Sequence, residues 1–255
     1  MLINKQNQSA DQDIVLVTGA GSGIGQAQAL AFLKQGAQVI AVDRQAGFAR
    51  LKNENNDDQL ECFQVDLSQE AEVKDLFVTI QASYPRLDVL CNTAGQLDDY
   101  RPLAEIDYAF WRQIMANNLD SLFLVTQQAL PLLLSNSKSH VINMASIAGM
   151  TTAGGGIAYT SAKHAIIGFT KQLAYEYSRS GLRVNAIAPG AIQTPMNQAD
   201  FAGDGQMAEQ VRQQIPLQRW AQVKEVADLT LFLASEQADY IQGAVIPLDG
   251  GWLIR

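Results

Sequence analysis

Tyr159 and Lys163 are two residues of this sequence whose types and spacing suggest catalysis. They lie four positions apart in a segment, 158–177, with the pattern of a helix, so their side chains share one face. A free tyrosine has a pKa of about 10 and is a poor base at neutral pH, but a nearby ammonium favours the phenolate. Tyr159 could then donate a proton to a carbonyl oxygen or accept one from an alcohol. Because the same spacing also occurs in ordinary surface pairs, its interpretation depends on the surrounding sequence.

A glycine-rich segment near the N-terminus suggests a nucleotide site. From Thr18 to Gly25 it reads TGAGSGIG, which fits G-x-x-x-G-x-G and not G-x-G-x-x-G. Glycines there permit a tight turn and let backbone N–H groups approach a pyrophosphate at a helix N-terminus. A predicted strand at 14–17 precedes the segment and a predicted helix at 24–35 follows it, which is the context of a dinucleotide loop. The alternative is a glycine-rich turn that binds nothing.

Asp43 ends the next predicted strand, close to the spacing of about 20 residues expected for an acid that binds an adenosine ribose. A carboxylate there accepts hydrogen bonds from the ribose hydroxyls and repels a 2′-phosphate. Arg44 follows directly, and its guanidinium could stack on adenine or meet a phosphate. Ser22, before Gly23, places no basic side chain within the loop. The sequence therefore favours NAD over NADP.

Short apolar strands alternate with helices along the chain from residue 14. Strands are predicted at 14–17, 38–42, 60–65, 87–91, 140–145, 183–188 and 244–248, and helices at 24–35, 69–83, 110–134, 158–177 and 223–234. Several strands are nearly continuous apolar runs, typical of strands buried on both faces. The alternation predicts a doubly wound α/β fold, a parallel sheet with helices on both faces. Since no linker interrupts the chain, we expect one domain at 14–255, preceded by a frayed tail at 1–13.

Composition disfavours several classes of protein. The 255 residues include 18 Lys and Arg against 26 Asp and Glu, and this net charge of −8 disfavours binding to nucleic acid or to an anionic membrane. Two cysteines, Cys62 and Cys91, and two distant histidines, His140 and His164, are too few for a disulfide scaffold or a metal site. We find no targeting signal and no apolar run of about 20 residues that could span a membrane. We therefore expect a cytoplasmic protein without a metal.

The motifs, in their order along the chain, resemble those of the classical short-chain dehydrogenase/reductase (SDR) family. The glycine segment is similar to the family's cofactor loop, and residues 92–95, NTAG, are similar to its N-N-A-G motif, with Thr93 in place of the second asparagine. Pro189-Gly190 with Thr194 resembles the motif on the nicotinamide side, and 249–251, DGG, resembles the C-terminal signature. The resemblance covers about residues 14–252 and implies a Rossmann-type sheet of about seven strands.

The resemblance implies a catalytic group made of Asn118, Ser146, Tyr159 and Lys163. Tyr159 would be the general acid/base, while Lys163 would lower its pKa and hold the nicotinamide ribose. Ser146 would hydrogen-bond the substrate oxygen and stabilise its developing charge. Asn118 would hold a water that relays protons toward solvent through Lys163. His164 points about 100° away from Lys163 around the helix, so we interpret it as a packing or surface residue.

The resemblance also implies which residues contact the cofactor. The glycine loop would bind the pyrophosphate, Asp66 would contact the adenine, and Thr194 would hold the carboxamide. The full predicted set is Gly19, Ser22, Gly23, Ile24, Gly25, Asp43, Arg44, Asp66, Leu67, Asn92, Ala94, Gly95, Tyr159, Lys163, Pro189, Gly190, Ile192 and Thr194.

The predicted function is NAD(P)-dependent interconversion of a small-molecule secondary alcohol and a ketone. We expect a substrate pocket walled by 96–100 and 147–152, under a lid at about 191–215 with Gly203 and Gly205 as hinges. Overall similarity within the family is greatest to the 3-oxoacyl-acyl-carrier-protein-reductase-like members. Such reductases commonly use NADPH, which Asp43 disfavours. They also receive an acidic carrier protein, which a net charge of −8 does not attract.

Two alternatives stay open: a carrier-protein reductase, and a non-catalytic dinucleotide-binding sensor on the same fold. The family also implies a homotetramer, formed through the helices that contain Trp111 and Tyr159.

Overall fold

The computed structural model describes residues 12–54, 57–152 and 154–254. The frayed tail is predicted at 1–13, and residues 1–11 of it lie outside the described residues. The strands are β1 (Ile14–Thr18), β2 (Gln38–Asp43), β3 (Leu60–Gln64), β4 (Val89–Asn92), β5 (Ser139–Met144), β6 (Leu182–Pro189), β7 (Ile192–Gln193), β8 (Ala221–Gln222) and β9 (Val245–Leu248). The helices are α1 (Gly23–Lys34), α2 (Ala49–Glu54), α3 (Glu70–Ser83), α4 (Tyr108–Met115), α5 (Ser121–Leu134), α6 (Ile157–Tyr177), α7 (Gln206–Gln214) and α8 (Val223–Leu233).

Seven of the strands form one sheet in the order β3-β2-β1-β4-β5-β6-β9, and every neighbouring pair is parallel. The order reverses between β1 and β4, as in doubly wound folds. β7 and β8 pair separately in parallel, with Ile192 opposite Ala221. The predicted single Rossmann-type domain with a parallel sheet of about seven strands is confirmed.

Successive residues of β1 enter two different hydrophobic clusters. Val15 and Val17 pack in a cluster with side chains of α1 and α8, whereas Ile14 and Leu16 pack with α3, α5 and α6. Because successive side chains of a strand point to opposite faces of the sheet, both faces are covered by helices. This burial on both sides explains why the strand is an uninterrupted apolar run in the sequence.

The helix predicted at 110–134 consists of two α-helices joined by a π-helical turn. Asp107 caps α4 by accepting a hydrogen bond from the Phe110 N–H at 2.8 Å. α4 ends at Met115, the π turn spans Ala116–Asp120, and α5 begins at Ser121. Such turns widen the helix by one residue and often lie at functional sites. Asn118 lies in this turn. The sequence analysis did not predict α2 or α7.

The carboxyl ends of the parallel strands meet at one edge of the sheet, where ligands bind in folds of this kind. The glycine loop follows β1, the NTAG segment extends β4, Ser146 follows β5, and Gly190 follows β6. Within the described part of the chain, no helix combines the length and the apolar character that crossing a membrane requires.

Candidate active site

A cavity of about 680 Å³ opens at this edge, where the strand order reverses between β1 and β4. Its volume lies within the range of about 300–1,000 Å³ that is usual for small-molecule sites. Most of the predicted site residues line it: Gly19, Ser22, Gly23, Ile24, Gly25, Asp43, Arg44, Asp66, Leu67, Ala94, Gly95, Ser146, Tyr159, Lys163, Pro189, Gly190, Ile192 and Thr194. Residues of the predicted wall and lid also line this cavity.

Two predicted site residues, Asn92 and Asn118, do not line the cavity. The Asn92 side chain points into the core, where its amide nitrogen donates to Thr126 Oγ1 and Asn143 Oδ1, both at 2.9 Å. Asn92 is buried at the end of β4, and its amide therefore joins β4 to β5 and α5. The structure places this side chain away from the predicted cofactor contacts.

The glycine loop brings the start of α1 to the cavity. Gly19 has a φ of +68°, and a Cβ there would lie 3.0 Å from Ala94 Cα, so the loop and the NTAG segment approach more closely than a side chain allows. Ser22 precedes α1 but makes no side-chain hydrogen bond to it, and the first turn holds no acidic residue. The positive end of the α1 dipole is therefore presented to the cavity as an anion site.

Thr18 holds the NTAG segment against the glycine loop. Its Oγ1 accepts hydrogen bonds from the Thr93 N–H at 2.9 Å and the Ala94 N–H at 3.1 Å. The Thr93 hydroxyl donates to Gln28 Oε1 at 2.6 Å, which ties the segment to α1. Threonine therefore has a hydrogen-bonding role at the position where the family motif has its second asparagine.

Asp43 stands beside the glycine loop with both carboxylate oxygens hydrogen-bonded to backbone. Oδ2 accepts from the Gly21 N–H and Oδ1 from the Gln45 N–H, both at 2.9 Å. A carboxylate offers about four lone-pair positions, so each oxygen can accept a further hydroxyl. Arg44 is exposed, and its Nη1 lies 3.5 Å from Gln96 Oε1.

Tyr159 and Lys163 lie one turn apart on α6, and both are buried. The Lys163 Nζ lies 5.3 Å from the centre of the Tyr159 ring and donates to the Met144 carbonyl oxygen at 2.8 Å. Ser146 reaches the same point from the end of β5, and its hydroxyl is close enough to the Tyr159 phenol to lower the pKa of that phenol. The structure thus brings the three predicted groups together.

Burial dominates the protonation of both α6 groups. It raises the pKa of Tyr159 to about 12; the nearby Ser146 hydroxyl opposes this rise, and Tyr100 and Asp98 add to it. Burial lowers the pKa of Lys163 to about 8. The sequence predicted that Lys163 would lower the Tyr159 pKa; in the structure, burial of the phenol is the largest influence on this pKa, and it raises it. The phenol is therefore protonated at neutral pH.

Comparison with known proteins decides the family. Residues 19–253 match the family model described as enoyl-(acyl carrier protein) reductase. The chain is 34% identical over 245 residues to 3beta-hydroxysteroid dehydrogenase 2 of Eggerthella lenta, covering 93% of both. It is 36% identical over 246 residues to 2-dehydro-3-deoxy-D-gluconate 5-dehydrogenase of Bacillus subtilis, covering 94% of both. The active-site complex of Pseudomonas aeruginosa RhlG with NADP superposes with a TM-score of 0.87 at 34% identity, covering 96% of this chain and 97% of that one.

The chain belongs to the short-chain dehydrogenase/reductase family. It is therefore an oxidoreductase of the class that interconverts CH–OH and carbonyl groups with a nicotinamide dinucleotide. The names of the two relatives specify a steroid and a sugar acid, so membership of the SDR family does not select one substrate.

The SDR cofactor fits the residues present. The α1 N-terminus has no side-chain cap, Gly19 keeps the loop open, and Asp43 has acceptor capacity beside the loop. These three features supply an anion site and a hydroxyl site at one end of a cavity that reaches Tyr159 at the other.

Asn118 lies directly behind the cavity wall. Its Nδ2 donates to the carbonyl oxygens of Gln96 and Ile114, both at 2.9 Å, and its Oδ1 accepts from the Gln96 N–H at 3.1 Å. A Cβ on Gly95 would lie 2.7 Å from Asn118 Oδ1 and 3.6 Å from Lys163 Nζ. Asn118 therefore clamps the backbone of residue 96 and, with Lys163, flanks Gly95.

Asp98 is a residue at the site that the sequence reasoning missed. It is 1% exposed, and its carboxylate accepts hydrogen bonds from the N–H groups of Gly156 and Tyr159 at the start of α6. The available signal was indirect: Gly156, the residue before α6, has no side chain that could cap the helix.

The lid residues form an ordered wall over the cavity. β7 and β8 pair at its base, and Phe201 packs on Trp220 with ring centroids 4.8 Å apart. Met196, Asp200, Met207, Val211 and Gln214 line the cavity from this side. Among the described lining residues, Arg44 and Lys163 are the only cations. The lid side is therefore largely apolar, with one acidic residue.

Proposed function

We propose that this SDR is an NAD-dependent dehydrogenase of secondary alcohols, with Tyr159 as the general acid/base. The observation that carries the proposal is the buried group in which the Tyr159 phenol meets Ser146 beside Lys163 at the cavity. Titratable groups with strongly shifted pKa values, gathered in a cleft, are typical of catalytic sites. A non-catalytic sensor would need no buried proton donor there.

The Ser146 hydroxyl and the Tyr159 phenol would both hydrogen-bond the substrate oxygen. In reduction, the phenol donates its proton to that oxygen, and in oxidation the phenolate accepts the alcohol proton. Lys163 would hold the nicotinamide ribose and exchange protons with solvent along the flank of Gly95 that it shares with Asn118. The bound dinucleotide supplies the hydride acceptor or donor.

The other predicted contacts follow the length of the cavity. The α1 N-terminus would bind the pyrophosphate, and Thr194 would hold the carboxamide. Asp66 would contact adenine, although its Oδ1 already accepts from the Ser68 N–H at 3.0 Å. Asp43 would bind the ribose hydroxyls and repel a 2′-phosphate, which supports NAD as the preferred cofactor.

The charges of the cavity support a neutral substrate. An anionic substrate would meet the Asp200 carboxyl on the lid side. Lys163 is held by the Met144 carbonyl oxygen, and Arg44 follows Asp43 at the other end of the cavity. With a net charge of −8 on the chain, this supports a small alcohol or sugar over an acidic carrier protein. The carrier-protein reductase is the second candidate because a 3-oxoacyl-[acyl-carrier-protein] reductase of Thermotoga maritima is 33% identical to this chain over 255 residues.

A turnover screen with diols, sugars, hydroxy acids and acetoacetyl thioesters, each with NAD and NADP, tests the proposal. We expect neutral diols or sugars with NAD to react best. Tyr159→Phe should lower turnover at least about 100-fold, the scale of general acid–base catalysis, and leave NAD binding intact.

Tyr175→Phe, the same change at an exposed position of α6, is the matched control and should keep full activity. Normal turnover by Tyr159→Phe would show that the mechanism is wrong. A thioester as the best substrate would instead support the carrier-protein reductase.

A further inference from the structure

Asp98 is a buried carboxylate outside the predicted catalytic group. It lies in the segment 96–100 that follows β4 and forms part of the cavity wall, and its side chain is 1% exposed. A carboxylate is almost never buried unless its oxygens are satisfied. The two groups that donate hydrogen bonds to the Asp98 carboxylate therefore indicate its role.

Both donors are backbone N–H groups at the start of α6. Oδ1 accepts from Gly156 at 2.8 Å, and Oδ2 accepts from Tyr159 at 2.9 Å. The first N–H groups of a helix have no partner within the helix, and a negative group at that end is favourable. Asp98 thus caps α6 from a distant part of the chain, and one of its two bonds is to Tyr159 itself.

The segment before α6 increases the need for such a cap. Residues 154–156 are three consecutive glycines, which restrict the backbone very little. A Cβ on Gly156 would lie 2.6 Å from Asp98 Oδ2, so glycine is required for the approach of the carboxylate. The bonds to Asp98 replace the rigidity that the glycines lack.

The wall segment is held at a second point close by. Asn118 fixes the backbone of Gln96 with two hydrogen bonds. Only one residue separates Gln96 from Asp98 along the chain, so fixing Gln96 also restricts Asp98. Asp98 in turn holds the start of α6. The π turn, the wall and the start of α6 form one connected unit.

We propose that Asp98 is a positioning residue that holds the Tyr159 phenol at its place against Ser146 and couples it to the substrate wall. This inference rests on the proposed role of Tyr159 as the proton donor. Small displacements of a catalytic group can lower rates by roughly 100-fold. The effect should appear in the proton-transfer step and not in cofactor binding.

The test compares Asp98→Ala and Asp98→Asn with Asp75→Asn. Asp98→Ala removes both acceptors, and we expect kcat to fall roughly 100-fold. Asp98→Asn keeps one acceptor of the same shape and should fall roughly 10-fold, which also covers the case in which the alanine variant does not fold. In both variants, the Kd of NAD and the KM of the substrate should stay within about twofold. Asp75 is an exposed residue of α3 outside the cavity lining, so Asp75→Asn should behave as the wild type.

A solvent isotope effect separates positioning from loss of folded enzyme. Slower proton transfer in Asp98→Asn should raise the effect of D₂O on kcat, whereas a smaller folded fraction lowers kcat without changing that effect. Gly156→Ala perturbs the same contact from the other side and should reproduce the Asp98→Asn result.

A kcat within about twofold of wild type for Asp98→Asn, or an unchanged isotope effect, would overturn the inference. If Tyr159→Phe is also fully active, the proposed function itself has failed. If Tyr159→Phe is inactive and Asp98→Asn is normal, only the role of Asp98 has failed.

Discussion

Tyr159 and Lys163 are buried side by side, and burial disfavours the charged form of each. The phenol has a pKa of about 12 and the ammonium one of about 8. Of the two groups, Lys163 is therefore the one that changes charge near physiological pH. A proton lost by Tyr159 in reduction must be replaced, and the Lys163 ammonium lies nearest to it along α6.

The rates of ketone reduction and of alcohol oxidation should therefore depend on pH in opposite ways. Lys163 carries its proton below a pH of about 8 and loses it above, so reduction of a ketone should decline as pH rises through this value, approaching tenfold per pH unit. Oxidation of the alcohol should rise over the same interval. Both are measured as kcat/KM in each direction from pH 6 to about 10.

Lys163→Arg serves as the comparison, because a guanidinium keeps its charge throughout. Its lower activity should no longer change near pH 8. A wild-type reduction rate that is constant between about pH 7 and 9.5 would contradict this use of Lys163.

Asp43 should decide the choice between the two dinucleotides. Asp43→Ala removes the acceptor of the ribose hydroxyls and the repulsion of a 2′-phosphate, so kcat/KM with NAD should fall roughly 10-fold to 100-fold while the relative use of NADP improves. Asp43→Asn removes the charge but keeps one oxygen that can accept from the backbone. It therefore distinguishes the effect of the charge from the effect of the hydrogen bond to the Gly21 N–H. If the ratio of kcat/KM with NAD to kcat/KM with NADP is unchanged in both variants, Asp43 does not bind the ribose.

At the scale of elements, the lid is the segment that borders the cavity after β6. Its base is the short β7–β8 pair, and Phe201 packs on Trp220 near its middle. Gly203 and Gly205, both with positive φ, follow at its outer end. A permissive backbone is what a segment that opens and closes requires.

Phe201→Ala should loosen this lid. An aromatic pair contributes about 0.5–1.5 kcal/mol, so we expect the substrate KM to rise roughly 2-fold to 10-fold with little change in the Kd of NAD. Val78→Ala, at an exposed position of α3, is the control. An unchanged KM would show that the Phe201–Trp220 contact does not form part of the closed site.

At the scale of the whole molecule, the outer helices expose large apolar side chains. Tyr108 of α4, Phe123 of α5 and Tyr175 of α6 are 74%, 45% and 82% exposed. Exposed apolar groups on neighbouring elements indicate an interaction surface, and we propose the homotetramer that the family resemblance implies.

Light scattering should therefore give a mass of four chains of 27.7 kDa. Phe123→Glu and Tyr175→Glu should lower the mass, because a charge buried in an interface without a partner is unfavourable. Val78→Glu, on α3 and 69% exposed, should keep it. A wild-type mass of one chain would contradict the tetramer.

The sequence by itself determined the fold class and most of the cavity lining. The apolar run of β1, the glycine spacing and the Tyr159–Lys163 pair depend on near neighbours along the chain, so local patterns reveal them. The motifs then carried the family assignment, which the comparisons confirm. The π turn was hidden inside a continuous helical pattern, because one extra residue per turn leaves no local signature.

Only the tertiary structure decided the directions of Asn92 and Asn118, the rise of the Tyr159 pKa and the cap supplied by Asp98. Each depends on groups that the fold brings together from distant positions: Asn143 for Asn92, Gln96 for Asn118, and Gly156 for Asp98. Burial is also a property of the packed molecule, so a pairing read along one helix could not show that burial raises the Tyr159 pKa. Water leaves the neighbourhood of Tyr159 and Lys163 only when sheet, wall and α6 close around them, and that loss of solvent sets their protonation.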